Sequence, residues 1–138
     1  MFEITIPGEP LAKKRPKFAK RGNFVSVYDP GKKESDAIRL IVQSQWPHKP
    51  IETPIELMIV FNMPIPASWS KKRKEHALKA AFHFSKPDLD NLLKFVADVL
   101  TGIVFIDDRQ IYKITAEKKY AEIPRTEIKI IASNLEKW

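Results

Sequence analysis

Apolar and polar residues alternate from the start of the chain. Phe2, Ile4 and Ile6 fall on one side of an extended backbone, the period of a half-buried strand, and Pro7-Gly8-Glu9-Pro10 ends it. Residues 10–24 lose this pattern and are expected to form a mobile loop, followed by a short strand at FVSVY (24–28). From 29 to 46 the spacing of Ala37, Leu40, Ile41 and Ser44 predicts a helix, with Asp29 as cap and Pro30 in its first turn. The run PIELMIVFNMP (54–64) is apolar enough to be a central strand. A short basic helix is expected over 68–82, although its apolar stripe is weak. The strongest periodicity lies in DLDNLLKFVADVL (88–100), where Leu89, Leu92, Val96, Val99 and Leu100 share one side and Gly102 marks the stop. The alternating segments 110–121 and 126–132 are expected to pair as antiparallel strands.

This order of elements predicts one small α+β domain spanning residues 1–138, a mixed sheet packed with helices. Hydrophobic residues make up 43% of the 138, enough for a modest core and too many for a disordered chain. No apolar run approaches the roughly 20 residues of a membrane span, and the N-terminus lacks a signal-peptide pattern, so a soluble, cytoplasmic protein is expected. The absence of cysteine excludes disulfides and thiolate zinc sites.

Charge changes the picture. Lys and Arg number 24 against 17 Asp and Glu, a net charge of +7 that favours polyanionic partners, nucleic acid above all. The 10–24 stretch concentrates Lys13, Lys14, Arg15, Lys17, Lys20 and Arg21 with no acid, and is the best candidate for phosphate contact. Phe18 within it is a candidate for stacking on an opened base, or for packing on its own domain.

Against this basic background stand two acidic pairs, Asp88 with Asp90 and Asp107 with Asp108. Two helical residues two apart lie about 200° apart around the axis and would not share a ligand. Pro87 holds Lys86 extended, and Asp88 is a good N-cap, so a helix starting at Leu89 lets both carboxylates converge. Lys94 and Asp98 follow one and two turns after Asp90 on the same face. From this helix alone, capping and an ordinary Asp90–Lys94 ion pair explain the acids better than a metal does. Asp107-Asp108 alone reads as a turn rather than a site. Together, in a basic domain without sulfur ligands, the four carboxylates fit a hard cation such as Mg²⁺ acting on a phosphodiester, with Lys94 stabilising charge.

The run KPDLDNLLKFVADVLTGIVFIDDRQI (86–111) resembles the signature of the RusA-type Holliday junction resolvases, crossover junction endodeoxyribonucleases, with its D-x-D-N-x-x-K and D-D-x-Q elements in order. The resemblance implies a RusA-like, homodimeric, Mg²⁺-dependent endonuclease, with Mn²⁺ able to substitute, that resolves four-way DNA junctions by paired symmetric nicks. It implies Asp88, Asp90 and Asp108 as metal-binding catalytic acids, Lys94 as catalytic lysine, Asp107 as a supporting acid and Asn91 as a group behind them. Some members carry an arginine immediately before the first aspartate. Pro87 stands there here, leaving Lys86 or the basic stretch from Lys71 to Lys74 to make that DNA contact.

His83, shortly before Asp88, has a metal-facing and a structural reading, while Trp46 and Trp69 read as core or dimer-interface residues. Two other functions compete: a catalytically silent junction-binding protein of the same fold, and a Mg²⁺-dependent enzyme acting on a small phosphate compound. The retained acids and lysine weigh against the first, since binding DNA needs no carboxylates. The lack of a Gly-rich phosphate loop weighs against the second.

Overall fold

The longest apolar run takes the most buried place. In a computed structural model that describes residues 1–80 and 82–133, β4 (Ile55–Pro64) is one of the two inner strands of a four-stranded sheet. It pairs in parallel with β5 (Ile111–Ala121) on one side and antiparallel with β6 (Arg125–Ala132) on the other. The second edge is β1 (Phe2–Pro7), which pairs with β6 and gives the order β1-β6-β4-β5. The sheet is mixed and the domain α+β, with three helices, as expected.

The expected pairing of β5 with β6 does not form: the two run in opposite directions, but β4 lies between them. Alternation specifies a strand and its faces but not its neighbours. The Glu122–Pro124 link has only to cross one intervening strand, about 10 Å, which three residues reach easily at roughly 3.3 Å each. Inserting β4 there gives its apolar run a partner on both sides.

Residues 55, 57, 59, 61 and 63 of β4 are buried, together with Ile4, Ile6, Ile128 and Ile130 of neighbouring strands. Helix α3 (Leu89–Leu100) covers this face with Leu92, Phe95, Val96, Val99 and Leu100. Helix α1 (Lys32–Gln45) adds Val42, and Trp46 just after it packs edge-on against Phe2 and His48. Pro47 holds Trp46 extended and ends that helix. The start of α1 differs from expectation: Gly31 is its N-cap, and Asp29, two residues before it, instead accepts a 2.8 Å bond from the Gly31 N–H. Arg39 of α1 donates to the carbonyls of Asp98 and Thr101 (3.0 and 2.8 Å), satisfying the C-terminal end of α3 and fixing it against α1.

The expected loop over 10–24 is corrected in part. Lys17–Arg21 forms β2, which pairs with β3 (Phe24–Tyr28) in a separate hairpin that turns at Gly22, φ 59°. Its basic residues hide the alternation that reveals other strands, and a glycine is what the left-handed turn requires. The expected helix over 68–82 is observed as α2 (Lys71–Ala80), against β5; Ala81 lies outside the described residues, as do Asn134–Trp138 of the expected domain. Among the described residues no helix is long and apolar enough to cross a membrane.

Candidate active site

Asp88 occupies the N-cap of α3 in extended conformation (φ −73°, ψ 155°), and its Oδ1 accepts from the Asn91 N–H at 3.2 Å. Asp90 follows in the first turn, where Lys94 Nζ lies 3.1 Å from its Oδ2 on an exposed face. This is the local geometry expected from Pro87 and the capping preference of aspartate. What holds it in place comes from elsewhere. Lys118 faces the helix-covered side of β5, level with Phe61 of β4. From there its ammonium donates to the carbonyls of Ser85 (2.9 Å) and Pro87 (2.8 Å), immediately before Asp88. The backbone strap is fixed again where the His83 N–H donates to the Lys118 carbonyl.

The second acidic pair is built around Gln110. Asp107 caps a single 3₁₀ turn, Asp108–Gln110, and accepts from the Arg109 N–H at 2.9 Å. That backbone bond is the main reason its carboxyl stays below the usual range. The Gln110 side chain accepts from the N–H groups of Ile106 and Asp107, both at 2.9 Å. It donates to the carbonyls of Ile51 and Thr53 at 2.8 and 3.0 Å, tying the acidic turn to the segment that enters β4. Asp107 is therefore occupied in shaping its own turn, while Asp108 is exposed at the start of it.

The structure does not gather Asp88, Asp90 and Asp108 into one coordination set: among the described residues no three acidic or histidine side chains lie close enough to hold a metal ion. Asp90 is turned to Lys94 and half of Asp88's carboxylate is spent on its cap. Uncompensated carboxylates repel one another, and Asp90 takes the nearest positive partner instead. The donor chemistry nevertheless suits a hard cation: these are exposed carboxylate oxygens, with neither sulfur nor a free imidazole beside them. The structural reading of His83 has the support of its packing. Its ring packs 5.0 Å from Tyr120 with Nδ1 buried and unpartnered, and burial, followed by the charge of Lys118, lowers its pKa and favours the neutral imidazole.

The basic candidates divide in two. Lys13 Nζ is 2.6 Å from Asp98, a hydrogen bond that raises its pKa, and Lys14 pairs with Glu34 at 3.3 Å; both brace the domain. Asp98, one turn after Lys94 on α3, is thereby paired with Lys13. Arg15 and, on the hairpin, Lys17, Lys20 and Arg21 have no carboxylate partner among the described residues, and Lys86 is exposed beside Asp88. Phe18 is 72% exposed, so it does not pack on the domain. Trp46 is core, whereas Trp69 stacks beneath Arg73 and beside Tyr120.

Sequence reasoning missed Lys118 and the role of Gln110. The glutamine is at least part of a recognisable D-D-x-Q element. Lys118 carries no signal, because in its strand it is one lysine among Lys113, Lys118 and Lys119.

A family model described as Endodeoxyribonuclease RusA matches residues 7–131. The uncharacterized protein YqaN of Bacillus subtilis (strain 168) is 34% identical over 134 residues, covering 94% of each chain.

Proposed function

The chain belongs to the RusA endodeoxyribonuclease family, and on that premise we propose that it is a metal-dependent, structure-selective nuclease that resolves four-way DNA junctions by paired nicks. The observation that carries the reading is the double bracing of the acidic site. Lys118 holds the chain before Asp88 and Gln110 holds the turn that presents Asp108, at an exposed surface of a protein of net charge +7. Exposed acids that served only as helix caps would not need bracing by two side chains, one from β5 and one from the 3₁₀ turn before it.

In this reading Asp88, Asp90 and Asp108 hold Mg²⁺, for which Mn²⁺ substitutes, and the cation supplies Lewis acidity towards water and the phosphodiester. The remaining work falls to the chain. Lys94 neutralises Asp90 in the free protein, and its ammonium is the group that would stabilise the charge growing on the phosphate. Arg15, Lys17, Lys20, Arg21 and Lys86 draw in the backbone and set its position. Two opposed nicks require two sites, which a two-fold homodimer supplies in the symmetry of the junction itself.

A junction-binding protein without nuclease activity is the competing reading, favoured by the Asp90–Lys94 pair and the ungathered acids. End-labelled four-way junction and matching linear duplex, incubated with and without Mg²⁺, separate the two. Wild type is expected to nick the junction symmetrically, and Asp90→Asn to bind it at least as tightly without cutting. Junction binding by wild type with no Mg²⁺-dependent nick would establish the silent binder. In mixed dimers of wild type with Asp88→Asn, one strand should be cut and the other left intact.

A further inference from the structure

A cavity of about 250 Å³ opens beside the acidic site between Trp69, Arg73, Phe84, Ser85 and Tyr120. Its construction is unusual for a surface dent. Tyr120, only 7% exposed, lies 5.2 Å from Trp69, and the Arg73 guanidinium covers the Trp69 ring at 3.8 Å. Phe84 at the rim is 90% exposed and packs on almost nothing. A phenylalanine left in water forgoes nearly all the stabilisation its burial would give, so one so exposed beside an aromatic cavity is available to a ligand. The helix bearing Arg73 also carries Lys71, Lys72, Lys74 and Lys79 against a single acid, Glu75. The occupant should therefore be flat and aromatic while its connected groups are negatively charged.

We infer that this cavity receives an unpaired nucleobase of the strand being cut, close to the scissile phosphodiester. A base has a π-face for Phe84 and for the Arg73 guanidinium plane stacked on Trp69, and its phosphates meet the lysines of α2. Ser85 lines the cavity and stands three residues before Asp88, so chain geometry keeps the two within roughly 10 Å. The captured base thus belongs to the cut strand within a nucleotide or two of the break. Bases inside a duplex are stacked and out of reach, whereas at a branch point one is freed at lower cost, so the pocket adds selectivity for branched DNA and for the base itself. A second copy of this chain is a poorer occupant, because it would bring its own positive charge against the lysines of α2.

The inference rests on the nuclease reading, and its test is arranged so that the two fail separately. Asp90→Asn protein is bound to four-way junctions carrying 2-aminopurine at one position at a time, within three nucleotides of the cut. Emission is expected to change at one position above all, and the change to disappear in Asp90→Asn/Phe84→Ala and in Asp90→Asn/Arg73→Ala while the gel shift persists. On the cleavage-competent background, Phe84→Ala is expected to reduce discrimination between a junction carrying that base and one abasic at the same position by about 5- to 100-fold, the worth of one stacked base. Phe84 is too exposed for a merely structural role to produce that loss. A normal gel shift with no position-specific emission overturns the pocket and leaves the nuclease reading standing. A Phe84→Ala protein that loses its dimer in light scattering but keeps its base discrimination also overturns it. Absence of both junction binding and cleavage in wild type removes the nuclease reading instead.

Discussion

Lys118→Met should slow cleavage far more than it weakens DNA binding. The substitution keeps most of the apolar stem but removes the ammonium that donates to the carbonyls of Ser85 and Pro87 at 2.9 and 2.8 Å. Hydrogen bonds from a charged donor contribute about 1.5–3 kcal/mol each, and the partial exposure of this pair brings their sum to roughly 2–4 kcal/mol. At 1.4 kcal/mol per tenfold, the strap before Asp88 loses about 30- to 1000-fold in its preference for the held position. The Asp88 cap and the Phe82–Lys119 bridge still restrain it. The expected fall in single-turnover nicking of a labelled four-way junction is therefore about 10- to 100-fold. Gel-shift affinity should stay within about threefold, and Lys118→Arg, which restores donors, should recover part of the rate. The loss is local, so the melting temperature should drop by only a few degrees, less than the 3–5 °C per kcal/mol expected of a global penalty in a domain of this size. A nicking rate within twofold of wild type would refute the positioning role. So would a drop in melting temperature of the full size with normal cleavage at 25 °C, which would make Lys118 a brace for the fold alone.

Gln110→Glu replaces the amide that donates to Ile51 and Thr53 with a carboxylate facing two carbonyls. It should cost about 2–4 kcal/mol in urea denaturation at pH 7, with part of the loss recovered at pH 4 as the new acid protonates. Replacing Arg15, Lys17, Lys20 and Arg21 by alanine should reduce the slope of log affinity against log salt by roughly 3–4, whereas the internally paired Lys13 and Lys14 should change it much less. Burial lowers the pKa of His83 in the folded state, so its contribution to stability is complete above pH 6.5, the unfolded value, and is lost as pH falls through the folded value. Urea midpoints measured down from pH 7.5 should fall more steeply for wild type than for His83→Phe, and parallel profiles would remove His83 as the cause.

The sequence by itself determined what depends on neighbours along the chain. The period of apolar residues placed β1, β4, α1, α3 and the two final strands, because a side chain's face follows from its own spacing. Pro87, Asp88 and Asp90 set the start of α3 in the same way, and the order of the acidic elements identified the family. Only the tertiary structure decided that β4 separates β5 from β6, since strand-pairing bonds join backbones and leave the choice of neighbour to the assembled core. It also decided which charges are free. Lys13, Lys14 and Arg15 are equivalent as a basic run, yet Asp98 and Glu34 claim the first two from α3 and α1. The braces on the site, Lys118 and Gln110, belong to the same class of fact. Each acts on backbone carbonyls more than 30 residues away, and a carbonyl is the one group that every residue presents alike, so no sequence pattern announces the partner.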